Sequence, residues 1–329
     1  MAQPDRRTVV RIGTRGGELA LWQAAEVARL IRQHHPAVTV EQQIIQTRGD
    51  QVLGSPLAQI GGKGLFTREL EEALAIGSID LAVHSLKDLP TGFPDGLALA
   101  AVLERGDPRD VLVAAPGTKL RGLLAGTRIG TSSPRRRSQL LAYNRHLRVL
   151  DVRGNVTTRL AKLDRGDFDA LVLARAGLVR LGLEARIADV IEPDVIVPAV
   201  GQGALAVETR AADAGVRALL EPLDHRPTRL ATSAERAFLS GLDGGCQVPI
   251  GALGSWRGDT LTLTWVLSDL QGERLVRGAE MSAVRTDTEA TDMGRRLAER
   301  LVESGDATIL ERVRAATLAT GEVPYQVRS

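Results

Sequence analysis

A single cysteine, Cys246, lies in the run Leu242-Asp243-Gly244-Gly245-Cys246-Gln247-Val248-Pro249, and it is the only thiol in 329 residues. One thiol cannot close an intramolecular disulfide or build a multi-cysteine metal site, which leaves packing, nucleophilic chemistry or attachment of a group. Packing is the ordinary fate of a lone cysteine. The neighbours favour chemistry: two glycines permit close approach of backbone or ligand, and Pro249 stiffens the exit, so the segment reads as a shaped loop rather than a core strand.

Two further clusters sit where strands end. The apolar run Ile79-Asp80-Leu81-Ala82-Val83 leads into His84-Ser85-Leu86-Lys87-Asp88, and polar residues at a strand's carboxyl end are where an α/β sheet presents ligand-binding groups. Lys87 and Asp88 are candidates for substrate binding and acid/base work; the plainer alternative is a solvated loop with a surface ion pair. Asp88 is the better catalytic candidate, since a carboxylate can stabilise a developing cation and hand on protons. Further along, Arg128-Ile129-Gly130-Thr131 runs into Ser132-Ser133-Pro134-Arg135-Arg136-Arg137. Ser133 as N-cap and Pro134 at the first helical position predict a helix start, whose free N–H groups attract anions. Three arginines in that first turn oppose the macrodipole and call for a counter-anion. Arg153-Gly154-Asn155, Arg159, Arg175 and Arg180 add cationic groups near the same edge, some of which a solvated face would explain. Lysines are only Lys63, Lys87, Lys119 and Lys162 among 42 basic residues; codon bias accounts for most of the arginines, so position decides which matter.

Other chemistries fit less well. Gly61-Gly62-Lys63-Gly64 lacks the spacing of a phosphate loop, and His34, His35, His84, His146 and His225 show no metal-ligand spacing, so no metal is expected. Net charge is +2 and aromatics are 3% of the chain, which disfavours nucleic-acid recognition and base stacking. A small, carboxylate-rich ligand is the better match to the arginines.

The elements that must position these groups carry an internal repeat. Arg-Ile-Gly-Thr occurs at 11–14 and 128–131; each copy is followed by a helical pattern, a glycine turn at Gly77-Ser78 or Gly166-Asp167, and an apolar run, Ile79 to Val83 or Phe168 to Leu173. Ala20, Ala24, Val27 and Ile31 keep helical spacing. Strands alternating with helices predict two parallel α/β lobes with a ligand crevice beyond the strands' carboxyl ends. After Pro198-Ala199-Val200-Gly201-Gln202-Gly203 the pattern changes: a helix over about 231–239 leads to the cysteine loop, Thr260 to Trp265 alternates as an antiparallel strand does, and helices are expected from Asp287 to Ala316. Met1 to Val10 contains no apolar leader segment and no run of 18 apolar residues occurs, so a soluble, cytoplasmic protein without a membrane partner is expected.

Together the segments Arg11-Ile12-Gly13-Thr14-Arg15, Leu19-Ala20-Leu21-Trp22-Gln23-Ala24, Thr47-Arg48-Gly49-Asp50, Gly61-Gly62-Lys63-Gly64-Leu65-Phe66, His84-Ser85-Leu86-Lys87-Asp88, Arg153-Gly154-Asn155, Pro198 to Gly203 and Gly244 to Pro249 make the chain resemble the porphobilinogen deaminase (hydroxymethylbilane synthase) family over essentially its whole length. The resemblance implies an α/β fold of two type II periplasmic-binding-protein-like lobes plus a small C-terminal α+β domain with an antiparallel sheet. It places domain 1 at 1–103 and 203–222, domain 2 at 104–202 and domain 3 at 223–329. It further implies a transferase of tetrapyrrole and haem biosynthesis. Such an enzyme deaminates four porphobilinogen molecules and joins them head to tail on a dipyrromethane cofactor bound to Cys246 by a thioether. It then releases 1-hydroxymethylbilane by hydrolysis. Asp88 is the implied catalytic carboxylate. Arg15, Lys63, Phe66, Ser85, Lys87, Thr131, Ser132, Ser133, Arg135, Arg136, Arg153, Gly154, Asn155, Arg159, Arg180 and Gln202 are the implied cofactor- and substrate-binding residues, with Lys63 and Phe66 in or beside a loop over the crevice. A monomer acting on a small molecule, without nucleic acid, is implied as well. The chain departs from the usual family pattern at Gln59, Gly17 and Pro134. The rival reading is a non-catalytic two-lobed binding protein for an anionic metabolite.

Overall fold

The computed structural model describes residues 9–47, 49, 67–244, 248–311 and 313. In chain order the elements of the first half are β1 (Val9–Thr14), α1 (Glu18–His34), β2 (Thr39–Ile44), α2 (Arg68–Ala75), β3 (Leu81–Ser85), β4 (Leu97–Val102), β5 (Asp110–Val113), β6 (Arg128–Gly130), α3 (Pro134–Tyr143), β7 (Arg148–Leu150) and α4 (Val156–Asp164). The second half adds β8 (Ala170–Ala174), α5 (Arg175–Arg180), β9 (Ile187–Ile191), β10 (Leu205–Arg210), α6 (Ala214–Leu220), α7 (Arg226–Gly241), β11 (Ile250–Arg257), β12 (Thr260–Ser268), β13 (Leu275–Ala283) and α8 (Asp287–Glu303). By compactness the described residues form two units. One holds the chain up to 106 with 203–229; the other holds 107–202 and the chain from 230 onward.

The first unit contains a sheet of order β2-β1-β3-β10-β4. β1 pairs in parallel with β2 and β3, whereas β10, arriving from far along the chain, inserts antiparallel between β3 and β4. The sheet is therefore mixed rather than purely parallel, as the alternation of strands and helices alone predicts. A strand that enters from elsewhere in the chain leaves no mark on local periodicity. Val27, Ala28 and Ile31 of α1 pack with Val10, Ile12, Val83 and Val207 in one buried cluster.

The second unit repeats the plan. Its first sheet runs β7-β6-β8-β5-β9, with β5 the antiparallel insertion. Both copies of the tetrapeptide are strands, and each holds its sheet with the same clasp. Arg11 donates from its backbone N–H and from Nε to Asp80 Oδ2 at 2.9 and 3.0 Å; Arg128 does the same to Asp169 Oδ2 at 2.7 and 3.2 Å. The glycines have a steric reason. A Cβ on Gly13 would lie 2.3 Å from Ile79 Cδ1, and one on Gly130 would lie 2.6 Å from Leu171 Cδ2.

The second unit also holds the antiparallel sheet β11-β12-β13. Leu261, Leu263, Trp265 and Leu267 alternate toward a core closed by Phe238 of α7 and Met293, Leu297 and Leu301 of α8. That alternation is the half-buried strand read from the sequence. α8 begins with a full capping box, Thr286 with Glu289.

Candidate active site

β3 ends as the apolar run predicts, except that His84 and Ser85 belong to the strand and Leu86–Asp88 form one turn of 3₁₀ helix. Asp88 is exposed, and Ser85 and Lys87 are half-buried. The Ser85 hydroxyl accepts a 2.8 Å hydrogen bond from Gln23 Nε2 of α1. Gln23 is 3% exposed and was not among the residues singled out from sequence. Its signal was available: a glutamine on the apolar face of α1, between Ala20 and Ala24, where only a partnered polar group is stable. Arg15, half-buried, follows β1 directly.

In the second unit the helix start is as read. Ser133 is the N-cap of α3, its Oγ accepting from the Arg136 N–H at 3.4 Å, with Pro134 in the first turn. The counter-anion demanded by the arginines proves to be internal. Asp110, fully buried at the start of β5, accepts from Arg135 Nη1 at 2.8 Å and from Arg136 Nε and Nη2 at 3.1 and 2.8 Å. Although burial works to raise it, the two guanidinium groups hold the Asp110 carboxyl far below the usual carboxylate range. Burial in turn lowers Arg135 from its ordinary value, against the pull of Asp110. Gln202 Nε2 donates to Asp110 Oδ1 at 2.9 Å and to the Pro108 carbonyl at 2.7 Å, and its Oε1 accepts from Arg136. Arg136 also reaches the Val172 carbonyl, so all three of its guanidinium nitrogens are engaged. The described bonds of the Arg135 side chain all leave from Nη1, to Asp110 and the Val197 carbonyl. One buried carboxylate thus faces two buried guanidinium groups, an excess of positive charge fitted to a further anion.

The Arg153-Gly154-Asn155 segment lies between β7 and α4 and is tied to the α3 start: Ser132 Oγ donates to the Val152 carbonyl and accepts from the Val152 N–H, at 2.8 and 3.0 Å. Gly154 has φ 109°, and a Cβ there would collide with Thr158 at 2.6 Å. Asn155 is the N-cap of α4, its Oδ1 accepting from the Thr158 N–H at 2.8 Å. Arg159 Nε donates to the Gly154 carbonyl at 2.8 Å. Thr131 is buried, and its Oγ1 accepts from the Ser133 N–H at 3.3 Å. Arg153, Arg159 and, at the end of α5, Arg180 are half-buried. The structure therefore gathers Thr131, Ser132, Ser133, Arg135, Arg136, Arg153, Gly154, Asn155, Arg159 and Gln202 around two connected turns and one strand start.

Cys246, Lys63, Phe66 and Gln59 lie outside the described residues. The approach to the cysteine is described as far as Gly244. The Gly244 N–H closes α7 on the Leu239 carbonyl at 2.8 Å, with Asp243 at φ 48°, the one non-glycine with positive φ among the described residues. In this closing motif that position usually belongs to glycine. Gly17, one of the family departures, is the N-cap of α1 and provides no side-chain cap. Among the described residues, no group of three or more His, Cys, Asp or Glu side chains could hold a metal ion, and no helix is long and apolar enough to cross a membrane.

Two mixed α/β sheets, each with its fourth-placed strand inserted antiparallel from a distant part of the chain, define two α/β lobes of one plan, joined in sequence to a small α+β domain with an antiparallel sheet. Residues 10–218 match the family described as "Porphobilinogen deaminase, dipyromethane cofactor binding domain", and residues 230–303 match "Porphobilinogen deaminase, C-terminal domain". The porphobilinogen deaminase of Desulforudis audaxviator (strain MP104C) is 53% identical over 310 residues, covering 94% of this chain and 99% of that one. That of Roseiflexus sp. (strain RS-1) is 50% identical over 299 residues, covering 91% and 97%. Among solved structures, the methionine-binding protein MetQ aligns at 14% identity with a TM-score of 0.41, over 65% of this chain and 89% of that one. The chain belongs to the porphobilinogen deaminase family.

Proposed function

We propose that the chain catalyses the reaction of its family: it deaminates four porphobilinogen molecules, joins them head to tail on a dipyrromethane primer, and releases 1-hydroxymethylbilane by hydrolysis. The observation that carries this reading is the placement of Asp88. It is an exposed carboxylate at the carboxyl end of β3, inside the stretch matched to the cofactor-binding domain.

Bound to Cys246 as a thioether, dipyrromethane supplies the pyrrole carbon to which the first unit is joined. The donor set fits such a group: its acetate and propionate side chains are planar anions, and at Asp110 two buried guanidinium groups share one carboxylate. In this reading Arg135 takes a cofactor carboxylate with the nitrogens that Asp110 does not engage, and Arg136 serves chiefly to fix Asp110 and Gln202. Arg15, Lys87, Arg153, Arg159 and Arg180 bind the carboxylates of substrate and growing chain, and Lys63 and Phe66 are further binding residues by their motif. Ser85, Thr131, Ser132, Ser133, Gly154, Asn155 and Gln202 shape the backbone that presents them. Asp88 stabilises the cation left on substrate when ammonia departs and holds the proton in transit between pyrrole positions. We also place domain 1 at 1–103 with 203–222, domain 2 at 104–202 and domain 3 at 223–329, in a monomeric cytoplasmic enzyme.

The test is the intact mass of the purified protein with turnover of porphobilinogen. The parent is expected to exceed its sequence mass by one covalent dipyrrole, and Cys246→Ser to lose that increment, because a hydroxyl is a far weaker nucleophile than a thiolate. Asp88→Asn is expected to keep the increment and lower kcat about 100-fold or more. A parent at its bare sequence mass would point instead to the two-lobed binding protein. Asp88→Asn turning over within about threefold of the parent, under roughly 1 kcal/mol, would remove Asp88 from the chemistry.

A further inference from the structure

Where α2 packs on β3 and β10, the first lobe buries polar side chains that the reaction does not use. Glu208 of β10 is fully buried and His84 of β3 nearly so. His84 Nε2 lies 3.1 Å from Glu208 Oε2, an ion-pair distance. Neither that nitrogen nor either Glu208 oxygen has an aligned hydrogen bond with a described residue. Glu71 of α2 is within electrostatic reach of both and of the Thr67 hydroxyl, and its buried Oε1 likewise has no aligned hydrogen bond with a described residue. Burial pushes the Glu71 carboxyl above the usual range; the Thr67 hydroxyl, His84 and Arg68 act against it, and Glu208 acts in the same direction. Thr67, the N-cap of α2, is itself buried.

The second lobe shows that the fold does not need this. The two copies align through their strand registers, Gly13 against Ala82 and Gly130 against Leu171. That alignment sets His84 on Leu173. Through the inserted strands, Glu208 opposite Ala82 corresponds to Val113 opposite Leu171. Counting back along the helices from Gly77 and Gly166, Glu71 falls on Leu160 and Thr67 on Val156. Leu173, Val113 and Leu160 form one buried apolar cluster, with Val156 packed against it. Four apolar residues thus occupy the positions that the first lobe fills with a histidine, two glutamates and a threonine. An apolar replacement of a buried ion pair is commonly neutral or stabilising, so a poorly satisfied polar group kept in its place calls for a role other than stability.

Its place in the chain indicates that role. His84 immediately precedes Ser85, whose hydroxyl is held by Gln23, and the Leu86 N–H is held by the Ala204 carbonyl at 3.0 Å. Asp88 is exposed and depends on the backbone from which it hangs. We propose that Glu208, acting through His84 and with Glu71 as third member, is a positioning residue that fixes the carboxyl end of β3 and so sets where Lys87 and Asp88 stand. The proposal rests on the functional reading given for Asp88.

The experiment writes the second lobe's residues into the first: His84→Leu, Glu208→Val and Glu71→Leu together. The variant is expected to unfold at or above the parental temperature and to keep the covalent dipyrrole by intact mass. Its kcat should fall about tenfold or more while KM moves less than about threefold, the pattern of a lost transition-state interaction. If the triple variant fails to fold, Glu208→Gln keeps the volume and removes the charge, and the same split is expected, with Glu208→Asp recovering part of kcat. A stable triple variant, or Glu208→Gln, turning over within about threefold of the parent would overturn the proposal. A parent without dipyrrole or turnover would instead overturn the functional reading itself, and this inference with it.

Discussion

The two lobes are copies that agree where the fold requires it and differ where the site does. Both carry the Arg–Asp clasp at the start of the repeat, the glycine under the strand, and an antiparallel strand inserted beside the third. Their buried charges lie in different places. The first lobe keeps His84, on the strand that leads to Asp88, with Glu208 beneath α2. The second fills that space with aliphatic side chains and keeps its buried carboxylate, Asp110, at the entry of the inserted strand, facing Arg135 and Arg136. Features shared by both copies answer to architecture. Charges present in only one are the candidates for function, since two copies of one plan provide the control that a single lobe lacks.

The largest effect that tests this contrast is expected at Asp110. Asp110→Asn leaves two buried guanidinium groups without their carboxylate, which costs about 3–5 kcal/mol in urea unfolding. Its folded carboxyl lies below the unfolded value of about 3.9, so the stability it contributes is whole above that pH and is lost as pH falls toward the depressed folded value. The gap between parent and Asp110→Asn should therefore be widest near neutrality and close as the solution is acidified below about pH 4. A gap independent of pH would show that the pair is not what the substitution removes. Intact mass should show the variant poorer in dipyrrole, because the arginines lose the group that places them.

A smaller difference is expected between the two clasps. Asp80 is 4% exposed at its side chain and is held by Arg210 as well as Arg11; Asp169 is 43% exposed and is held by Arg128. Asp80→Asn should cost roughly 2–4 kcal/mol, as buried pairs do when one partner is removed, whereas Asp169→Asn should stay within about 1 kcal/mol of the parent. Equal costs for the two would mean that burial does not set the strength of the clasp, and the architectural half of the comparison would fail.

What was legible in the sequence was local. Ser133-Pro134 specifies its own helix start, Thr260 to Trp265 its own alternation, and the repeated tetrapeptide with its glycine turns the two lobes. Motif order was enough for the family. What was not legible depends on pairing across the chain. The counter-ion of Arg135 is Asp110, 25 residues upstream, and the sequence signalled only that some anion was needed. The partner of His84 arrives on β10, whose run Leu205-Ala206-Val207-Glu208 reads as an apolar strand with a polar end. Insertion between β3 and β4 is what buries that end. Asn155 shows a third kind of limit: placed by its motif among ligand-binding residues, it uses its carbonyl oxygen to cap α4.

The smallest effect expected separates the two helices that follow the repeated strands. α3 starts on Ser133, whose hydroxyl accepts a backbone N–H, while α1 starts on Gly17, which has no side chain to do so. Gly17 has an ordinary extended conformation, φ −74° and ψ 147°, and a Cβ there would meet nothing within 4 Å. Serine should therefore fit without strain and cap the first turn. Glycine is only a few tenths of a kcal/mol worse than serine at this position, whereas alanine is worse by about 1 kcal/mol. Gly17→Ser is accordingly expected to raise the urea midpoint slightly, and Ser133→Ala to lower it by an amount several times larger. Circular dichroism melts of both, read against the parent, check the ordering. Should Gly17→Ser lower kcat as well, the open N-terminus of α1 would count among the features present in one lobe alone, and its glycine would belong to the site rather than to the fold.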